Sequence, residues 1–216
     1  MNEFCAKLKQ ENATEYQNMA AALQEEVATT AGNGGPPPSA ATDSTVVEEL
    51  AIHLMDRDVK SAALKDLQGK MWQAGYASGE LKGHVYPDFV PTLDWLEKCH
   101  DNVKVCIYSS GSIQAQKLLF GNSVAGDLLP KLSAHFDIPT AGPKKVDASY
   151  KKIAAALNVD VSDIVFVSDA VAELEAATAA GIGCAVMSIR PGNVPLSASD
   201  KKKYPSIYSL MQLCGE

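Results

Sequence analysis

The chain has 216 residues, of which 46% are hydrophobic, and its formal net charge is −7 at pH 7. This length can bury one good core, or a core and a smaller subdomain. The acidic balance argues against nucleic acid or an anionic membrane as a partner. No stretch reaches the ~18 consecutive apolar residues that a membrane-spanning helix needs. We therefore expect a soluble cytoplasmic protein.

Cysteine and histidine usage points away from disulfides and away from a histidine-based metal site. The five cysteines are scattered, and none of them forms a C-x-x-C pair. This pattern favours a reducing compartment. The four histidines show neither H-x-x-x-H nor H-E-x-x-H spacing, so we expect structural roles for them.

The first third of the chain is predicted to be helical. Apolar residues recur at loose helical spacing over residues 1–28, and again over about 44–54 and 59–74. A Gly- and Pro-rich stretch over 31–40 is predicted to be an exposed loop. We therefore expect a helical subdomain over residues 1–85.

From Tyr86 onwards the pattern changes to alternating strands and helices. Pro87 is predicted to begin a helix, because proline is favoured in the first helical turn. Apolar runs then predict strands at 103–108, 134–138, 164–167 and 184–189, with helices at 114–120, 150–157 and 172–180 between them. Strands separated by helices are typical of a doubly wound parallel sheet, so residues 86–216 are predicted to form an α/β core.

The first of these strands ends in the segment Ser109-Ser110-Gly111-Ser112, and a helical pattern follows directly. Ligands in open α/β sheets bind at the carboxyl ends of the strands. Hydroxyls and backbone N–H groups at a helix N-terminus can bind a phosphate or another anion. This turn is therefore predicted to be an anion site.

Two further groups are predicted to lie at the same edge of the sheet. Lys144, with Lys145 beside it, comes just before a helix, and Asp169 directly follows the third strand. Taken alone, the lysine pair favours a solvated turn, and the alternative for Asp169 is a helix N-cap. Glu173 is either a supporting residue of the site or part of the helix surface.

A hydroxyl pair, a lysine and a carboxylate on successive strand ends favour Mg²⁺-assisted phosphoryl transfer. Mg²⁺ takes oxygen ligands, usually one or two carboxylates together with substrate phosphate. A lysine can neutralise the charge that develops on a phosphoryl group.

The order of these groups resembles motifs two, three and four of the haloacid dehalogenase-like superfamily. Three segments look like those of the acireductone synthases, the bifunctional enolase-phosphatases of methionine salvage. They are 67–72, the strand and helix over 107–121, and Arg190-Pro191-Gly192-Asn193. The resemblance runs from about Ala51 to the C-terminus, whereas residues 1–40 match poorly.

This resemblance implies a substrate, 2,3-diketo-5-methylthiopentyl-1-phosphate, which the family enolises and then dephosphorylates to an acireductone using one Mg²⁺. Ser109 and Ser110 would contact the substrate, Lys144 would hold its phosphate, and Asp169 would bind Mg²⁺. Residues 1–85 would form a helical cap that closes the site against water. The protein is expected to be a monomer in the cytoplasm, and also in the nucleus.

The family also has an apolar first strand that ends in Asp-x-Glu-Gly-Thr. Its Asp is the nucleophile and its Glu the acid/base. No segment here matches this motif, since Asp56-Arg57-Asp58 has the spacing but lies within a predicted helix. We therefore assign no catalytic residue to this sequence. Because that strand is central in the family's sheet, the strands at 103–108 and 164–167 are expected to lack their shared neighbour.

Three hypotheses about function follow from the unmatched motif. In the first, the protein is an acireductone synthase by family, and the sequence is a truncated gene model or splice form. In the second, it is a non-catalytic relative that binds phosphate and Mg²⁺. In the third, the same scaffold isomerises an enol without dephosphorylation, although proton transfer would then require another acid/base.

Overall fold

The computed structural model describes residues 1–30, 45–59, 61–99, 102–197 and 199–215. The chain divides into two compact units, Met1–Leu81 and Lys82–Glu216. The loop predicted over 31–40 lies outside the described residues.

The first unit is helical in all its described elements. Its helices are α1 (Asn2–Glu11), α2 (Ala13–Thr30), α3 (Thr45–Asp56) and α4 (Ala62–Ser78). The helical structure predicted over 1–28 is confirmed except at Asn12, where φ is −149° and one helix ends before the next begins. The Asn12 side chain accepts a hydrogen bond from the Glu15 N–H at 3.1 Å, which is the usual capping contact at a helix start.

The core of the first unit consists of the apolar faces of these four helices. Leu23, Leu50, Leu54 and Leu67 are fully buried in it, together with Cys5. Apolar residues at helical spacing produce such faces, and burial of a leucine side chain contributes about 1.5–3 kcal/mol. Among the helices in the described ranges, none is long and apolar enough to cross a membrane.

The second unit alternates strands and helices. Its strands are β1 (Cys106–Tyr108), β2 (Ala134–Phe136), β3 (Val165–Ser168), β4 (Cys184–Ser188) and β5 (Ser206–Ile207). Its α-helices are α5 (Phe89–Cys99), α6 (Ile113–Gly121), α7 (Ile138–Ala141), α8 (Asp147–Leu157), α9 (Val171–Ala180) and α10 (Asp200–Lys203). Short 3₁₀ helices cover Leu129–Lys131, Val161–Asp163 and Leu210–Cys214. β5 was not predicted, since a two-residue strand has no measurable period.

All described strand pairs are parallel, as predicted, but they form two sheets instead of one. β1 pairs with β2, whereas β3, β4 and β5 form a separate sheet in that order. Within the described residues, β1 and β3 each have a strand partner on one side only. Among the same residues, β2 and β5 likewise have a strand partner on one side only, so the pairing does not single out β1 and β3.

Tyr150 of α8 packs against a strand from each sheet. Its ring makes edge-to-face contacts with Tyr108 of β1, at a centroid distance of 5.8 Å, and with Phe166 of β3, at 5.0 Å. Such aromatic pairs contribute about 0.5–1.5 kcal/mol beyond their buried area. Tyr150 thus joins β1 and β3 to the same helix.

Candidate active site

The turn between β1 and α6 carries the predicted serines. The Ser109 N–H donates to the Phe136 carbonyl of β2 at 3.1 Å, and the Ser109 hydroxyl accepts from the Gly111 N–H at 3.1 Å. Ser112 caps α6 by accepting from the Ala115 N–H at 3.2 Å. Ser110 is exposed, and its hydroxyl has no hydrogen bond within the described part of the chain.

Two residues that the sequence analysis missed hold this turn in place. The buried Gln116 amide donates to the Gly111 carbonyl at 3.1 Å and to the Phe136 carbonyl at 2.8 Å. The Asp137 carboxylate accepts from the Ile113 N–H at 3.1 Å and from the Thr140 N–H at 3.0 Å. Burial raises the pKa of Asp137, but the hydrogen bonds from Thr140 and Ile113 outweigh it and lower the pKa overall. The role of Gln116 could have been predicted from the sequence, because it is a polar residue on the buried face of a predicted helix.

Tyr108 connects β1 to the turn that carries Lys144. Its hydroxyl donates to the Gly142 carbonyl at 2.6 Å, and the Lys144 ammonium lies 6.0 Å from the centre of its ring. Gly142 has φ of +107°, and a Cβ there would lie 2.6 Å from the Ser149 hydroxyl. The turn therefore requires glycine at this position.

Lys144 is ion-paired with Glu173 at the start of α9. The Lys144 Nζ lies 2.7 Å from the Glu173 Oε2, and the Ser168 hydroxyl donates to the same oxygen at 2.7 Å. The two charged side chains are 22% and 13% exposed. Glu173 thus contacts Lys144 and Ser168 and is not a solvated residue of the helix surface.

Tyr150 also joins the two segments that this ion pair connects. Its hydroxyl lies 2.6 Å from the Lys144 carbonyl and 3.0 Å from the Glu173 carbonyl. Burial, followed by the charge of Glu173, raises the pKa of Tyr150 far above its usual value. The hydroxyl therefore stays protonated and can donate.

Asp169 follows β3 and is exposed. It does not cap α9, because the N-cap position is Ala170, which has no side-chain cap. The Asp169 Oδ2 instead accepts a hydrogen bond from the Asn193 Nδ2 at 2.8 Å. No role was predicted for Asn193, although its segment was one of those that carried the resemblance.

The structure thus places the four predicted residues on connected segments of the second unit. Glu173 joins Lys144 to Ser168, the neighbour of Asp169, and Tyr108 joins the serine turn to the lysine turn. In the described residues, no hydrogen bond joins the Ser109 or Ser110 hydroxyl to Lys144 or Asp169. Nor do those residues contain a group of three or more His, Cys, Asp or Glu that could hold a metal. Ser109 and Asp169 follow strands and Lys144 lies in the turn between α7 and α8, and these hydroxyl, carboxylate and ammonium groups are of the kinds that could hold an anionic ligand and its metal.

Comparison with protein families gives the class of protein. Residues 7–181 match the model of the haloacid dehalogenase-like hydrolases. Because this match covers most of the chain, the protein is a member of that family. The parallel strands and intervening helices of the second unit are the architecture this class uses.

Similarity to curated relatives identifies a particular family within this class. The chain is 45% identical over 166 residues to enolase-phosphatase E1 of Drosophila grimshawi, which covers 76% of this chain and 66% of the relative. It is 46% identical over 170 residues to that of Clavispora lusitaniae, with coverages of 76% and 71%. The matched region thus spans about two thirds of the length of these relatives. The chain belongs to the enolase-phosphatase E1 family.

Solved structures show the same fold. The UTR4 protein of Saccharomyces cerevisiae is similar with a TM-score of 0.69 and 29% identity, over 96% of this chain and 93% of that one. A dehalogenase is similar with a TM-score of 0.54 at 20% identity, over 99% of this chain and 89% of that one. The second likeness shows the α/β fold alone.

Proposed function

We propose that this chain supplies the substrate-, phosphate- and metal-binding groups of a bifunctional enolase-phosphatase. The substrate would be 2,3-diketo-5-methylthiopentyl-1-phosphate, which is enolised and dephosphorylated to the acireductone in methionine salvage. Family membership and relatives that carry the name enolase-phosphatase E1 support this proposal. The contacts of Lys144 support it from the structure.

The single observation that carries the proposal is the ion pair of Lys144. A lysine ammonium has three N–H donors, and Glu173 accepts one of them at 2.7 Å. The other two are available to phosphate oxygens. The ion pair fixes the direction of the lysine side chain, so less conformational entropy is lost when an anion binds.

The serine turn would hold the other side of the substrate. The backbone N–H groups of Ser110 and Ser112 have no acceptor among the described residues, and both lie at the N-terminus of α6. Such N–H groups, together with the helix dipole, favour an anion. The exposed Ser110 hydroxyl and the Ser109 hydroxyl can donate to substrate oxygens.

Asp169 is the proposed Mg²⁺ ligand. Its donor chemistry fits, because it is an exposed carboxylate with one oxygen hydrogen-bonded to Asn193 and the other without a described partner. Mg²⁺ is commonly held by one or two carboxylates, with waters and substrate phosphate completing the octahedron. When bound, Mg²⁺ would withdraw charge from the phosphoryl oxygens.

A second candidate function is phosphate and Mg²⁺ binding without turnover. Three described carboxylates lie next to the carboxyl ends of β2 and β3, namely Asp137, Asp169 and Glu173, and each accepts hydrogen bonds from within the chain. A covalent phosphatase mechanism needs a carboxylate that can attack phosphorus. Because contacts within the chain engage Asp137, Glu173 and one oxygen of Asp169, binding is favoured over chemistry.

One experiment separates the two candidates. Phosphate release from the substrate and from an aryl phosphate is measured with Mg²⁺, and orthophosphate binding is measured by calorimetry. We expect Lys144→Met to weaken orthophosphate binding about 10- to 100-fold, because a hydrogen bond to a charged group contributes about 1.5–3 kcal/mol. The neighbouring exposed Lys145→Met is the matched control and should bind normally.

Each outcome has a distinct meaning. Phosphate release by the chain that Lys144→Met abolishes would support the enolase-phosphatase. Orthophosphate binding without release would support the binding protein. Equal orthophosphate binding by Lys144→Met and Lys145→Met would overturn the assignment of Lys144 under both candidates.

A further inference from the structure

Two hydrogen bonds between Arg190 and Asn193 close the turn that follows β4. The Asn193 N–H donates to the Arg190 carbonyl at 3.1 Å, and the Arg190 N–H donates to the Asn193 Oδ1 at 2.5 Å. Pro191 and Gly192 occupy its central positions, and Gly192 has φ of +90°. Proline followed by glycine at positive φ is typical of a type II turn. The Asn193 side chain is thereby fixed to its own turn.

This closure determines which way the Asn193 amide points. Its oxygen accepts from the Arg190 N–H, so its NH₂ group must face the other way, toward Asp169. The opposite orientation would place a donor against a donor and an acceptor against a carboxylate. The hydrogen bond at 2.8 Å therefore engages the Asp169 Oδ2 and leaves its Oδ1 without a described partner.

Arg190 anchors the turn through its side chain. Its Nη2 lies 2.5 Å from the Asp88 Oδ2, and its Nη1 donates to the Tyr208 carbonyl at 2.8 Å. The guanidinium also lies over the Tyr86 ring, 4.8 Å from its centre. The Arg190 and Asp88 side chains are only 11% and 14% exposed. A planar guanidinium held on three sides has little freedom to move.

Asp88 is fixed in turn by the C-terminal segment. Its Oδ2 also accepts from the Leu210 N–H at 2.6 Å and from the Ser209 hydroxyl at 3.0 Å. Burial raises the pKa of Asp88, but the hydrogen bonds from Arg190, Leu210 and Ser209 outweigh it and lower the pKa overall. The carboxylate therefore joins the start of α5, the turn after β4 and the last 3₁₀ helix at one point.

We infer that Asn193 is a positioning residue for Asp169, and that the Arg190–Asp88 ion pair holds the Asn193 turn where this contact forms. The inference rests on the proposed function, in which Asp169 is a Mg²⁺ ligand. An exposed carboxylate rotates freely unless one oxygen is tied. A hydrogen bond to one oxygen directs the other toward the cation, and loss of such supporting contacts commonly lowers metal affinity 10- to 100-fold.

The test measures Mg²⁺ binding to the whole chain by calorimetry. We expect Asn193→Ala to weaken Mg²⁺ binding about 10- to 100-fold. Asn122→Ala is the matched control, since its amide also donates one hydrogen bond, to the Leu118 carbonyl at 2.9 Å. Arg190→Lys should weaken Mg²⁺ binding less than Asn193→Ala, because the Asn193 amide remains. Equal Mg²⁺ affinity in Asn193→Ala and the unsubstituted chain would overturn the inference.

A second measurement separates this inference from the proposed function. If the unsubstituted chain binds no Mg²⁺, the metal assignment of Asp169 fails, and the positioning contact is then judged by ¹H–¹⁵N NMR. The side-chain NH₂ signals of Asn193 should move in Asp169→Ala and in Arg190→Lys, and stay in place in Asn122→Ala. Signals that stay in place in all three variants would overturn the positioning role.

Discussion

The two units of the molecule are stabilised in different ways. In the first unit, four helices bury complete leucine side chains such as Leu23, Leu50 and Leu67 against one another. In the second, β1 and β3 each keep one unpaired edge within the described residues, and Val165 of β3 is 56% exposed. The second unit relies on single side chains that join distant segments, as Tyr150 and Asp88 do.

This difference explains where the candidate site lies. In an α-helix the backbone N–H and C=O groups bond to one another within the helix, so few backbone groups of the first unit are free to bind a ligand. The ends of parallel strands leave N–H groups, hydroxyls and charged side chains that only long-range contacts can order. Of the proposed ligands of substrate and metal, the serines and Asp169 follow strands directly, whereas Lys144 lies in the turn between α7 and α8.

The largest expected effect comes from Leu50 in the first unit. Leu50→Ala should lower the free energy of unfolding by about 2–5 kcal/mol, because it leaves a cavity in a closed core. Leu50 is 0% exposed, whereas Ile52 on the same helix is 43% exposed, so Ile52→Ala is the matched control. It should change stability far less.

Tryptophan fluorescence can assign the loss to one unit. Trp72 lies in α4 and Trp95 in α5, so Trp95→Phe and Trp72→Phe leave one reporter in each unit. Leu50→Ala should shift the denaturant midpoint reported by Trp72 more than that reported by Trp95. Equal shifts at both reporters would contradict separate stabilisation of the two units.

The second effect concerns the polar contacts of the second unit. Asp88→Asn keeps the shape of the side chain but removes the charge opposite Arg190, and it should cost about 1.5–3 kcal/mol at pH 7. The pKa of Asp88 is lowered in the folded chain. Its contribution to stability is therefore present above the unfolded pKa of about 3.9, and is lost as the pH falls through the lower folded pKa.

Chemical denaturation at several pH values checks this prediction. The stability difference between the unsubstituted chain and Asp88→Asn should be full at pH 6–7 and should shrink below about pH 4. A difference that stays constant down to pH 3 would show that lost packing, and not lost charge, causes the effect.

The sequence supplies the parts of this structure that depend on local spacing. Apolar residues three and four apart predict α3, α4, α8 and α9, and apolar runs predict β1 to β4. Asn12 breaks the first helix because its side chain caps the next one, a choice that apolar spacing does not reveal. The two-sheet arrangement depends on which strands pair with each other. All four predicted strands are similar apolar runs, so their sequences do not indicate the pairing.

The candidate site, like the fold, could be predicted only where local sequence patterns determine it. Ser109 and Asp169 follow strands and Lys144 precedes a helix, so all three could be found from their positions in the chain. The residues that hold these groups in place could not be predicted, because each contact joins two residues that are far apart in the sequence. Asn193 is 24 residues from Asp169, and Arg190 is 102 residues from Asp88. No local pattern encodes such a contact, and its formation depends on the packing of the whole unit.

The smallest expected effect isolates the hydroxyl of Tyr150. Tyr150→Phe keeps the ring contacts with Tyr108 and Phe166 but removes the hydroxyl that donates to the Lys144 and Glu173 carbonyls. We expect a loss of about 0.5–1.5 kcal/mol in the free energy of unfolding, measured by denaturation with Trp95 as the reporter. Tyr208→Phe is the control, since Tyr208 is 65% exposed. Equal stability of the two variants would mean that Tyr150 joins β1 and β3 through its ring alone, and that Glu173 holds Lys144 without help from the hydroxyl.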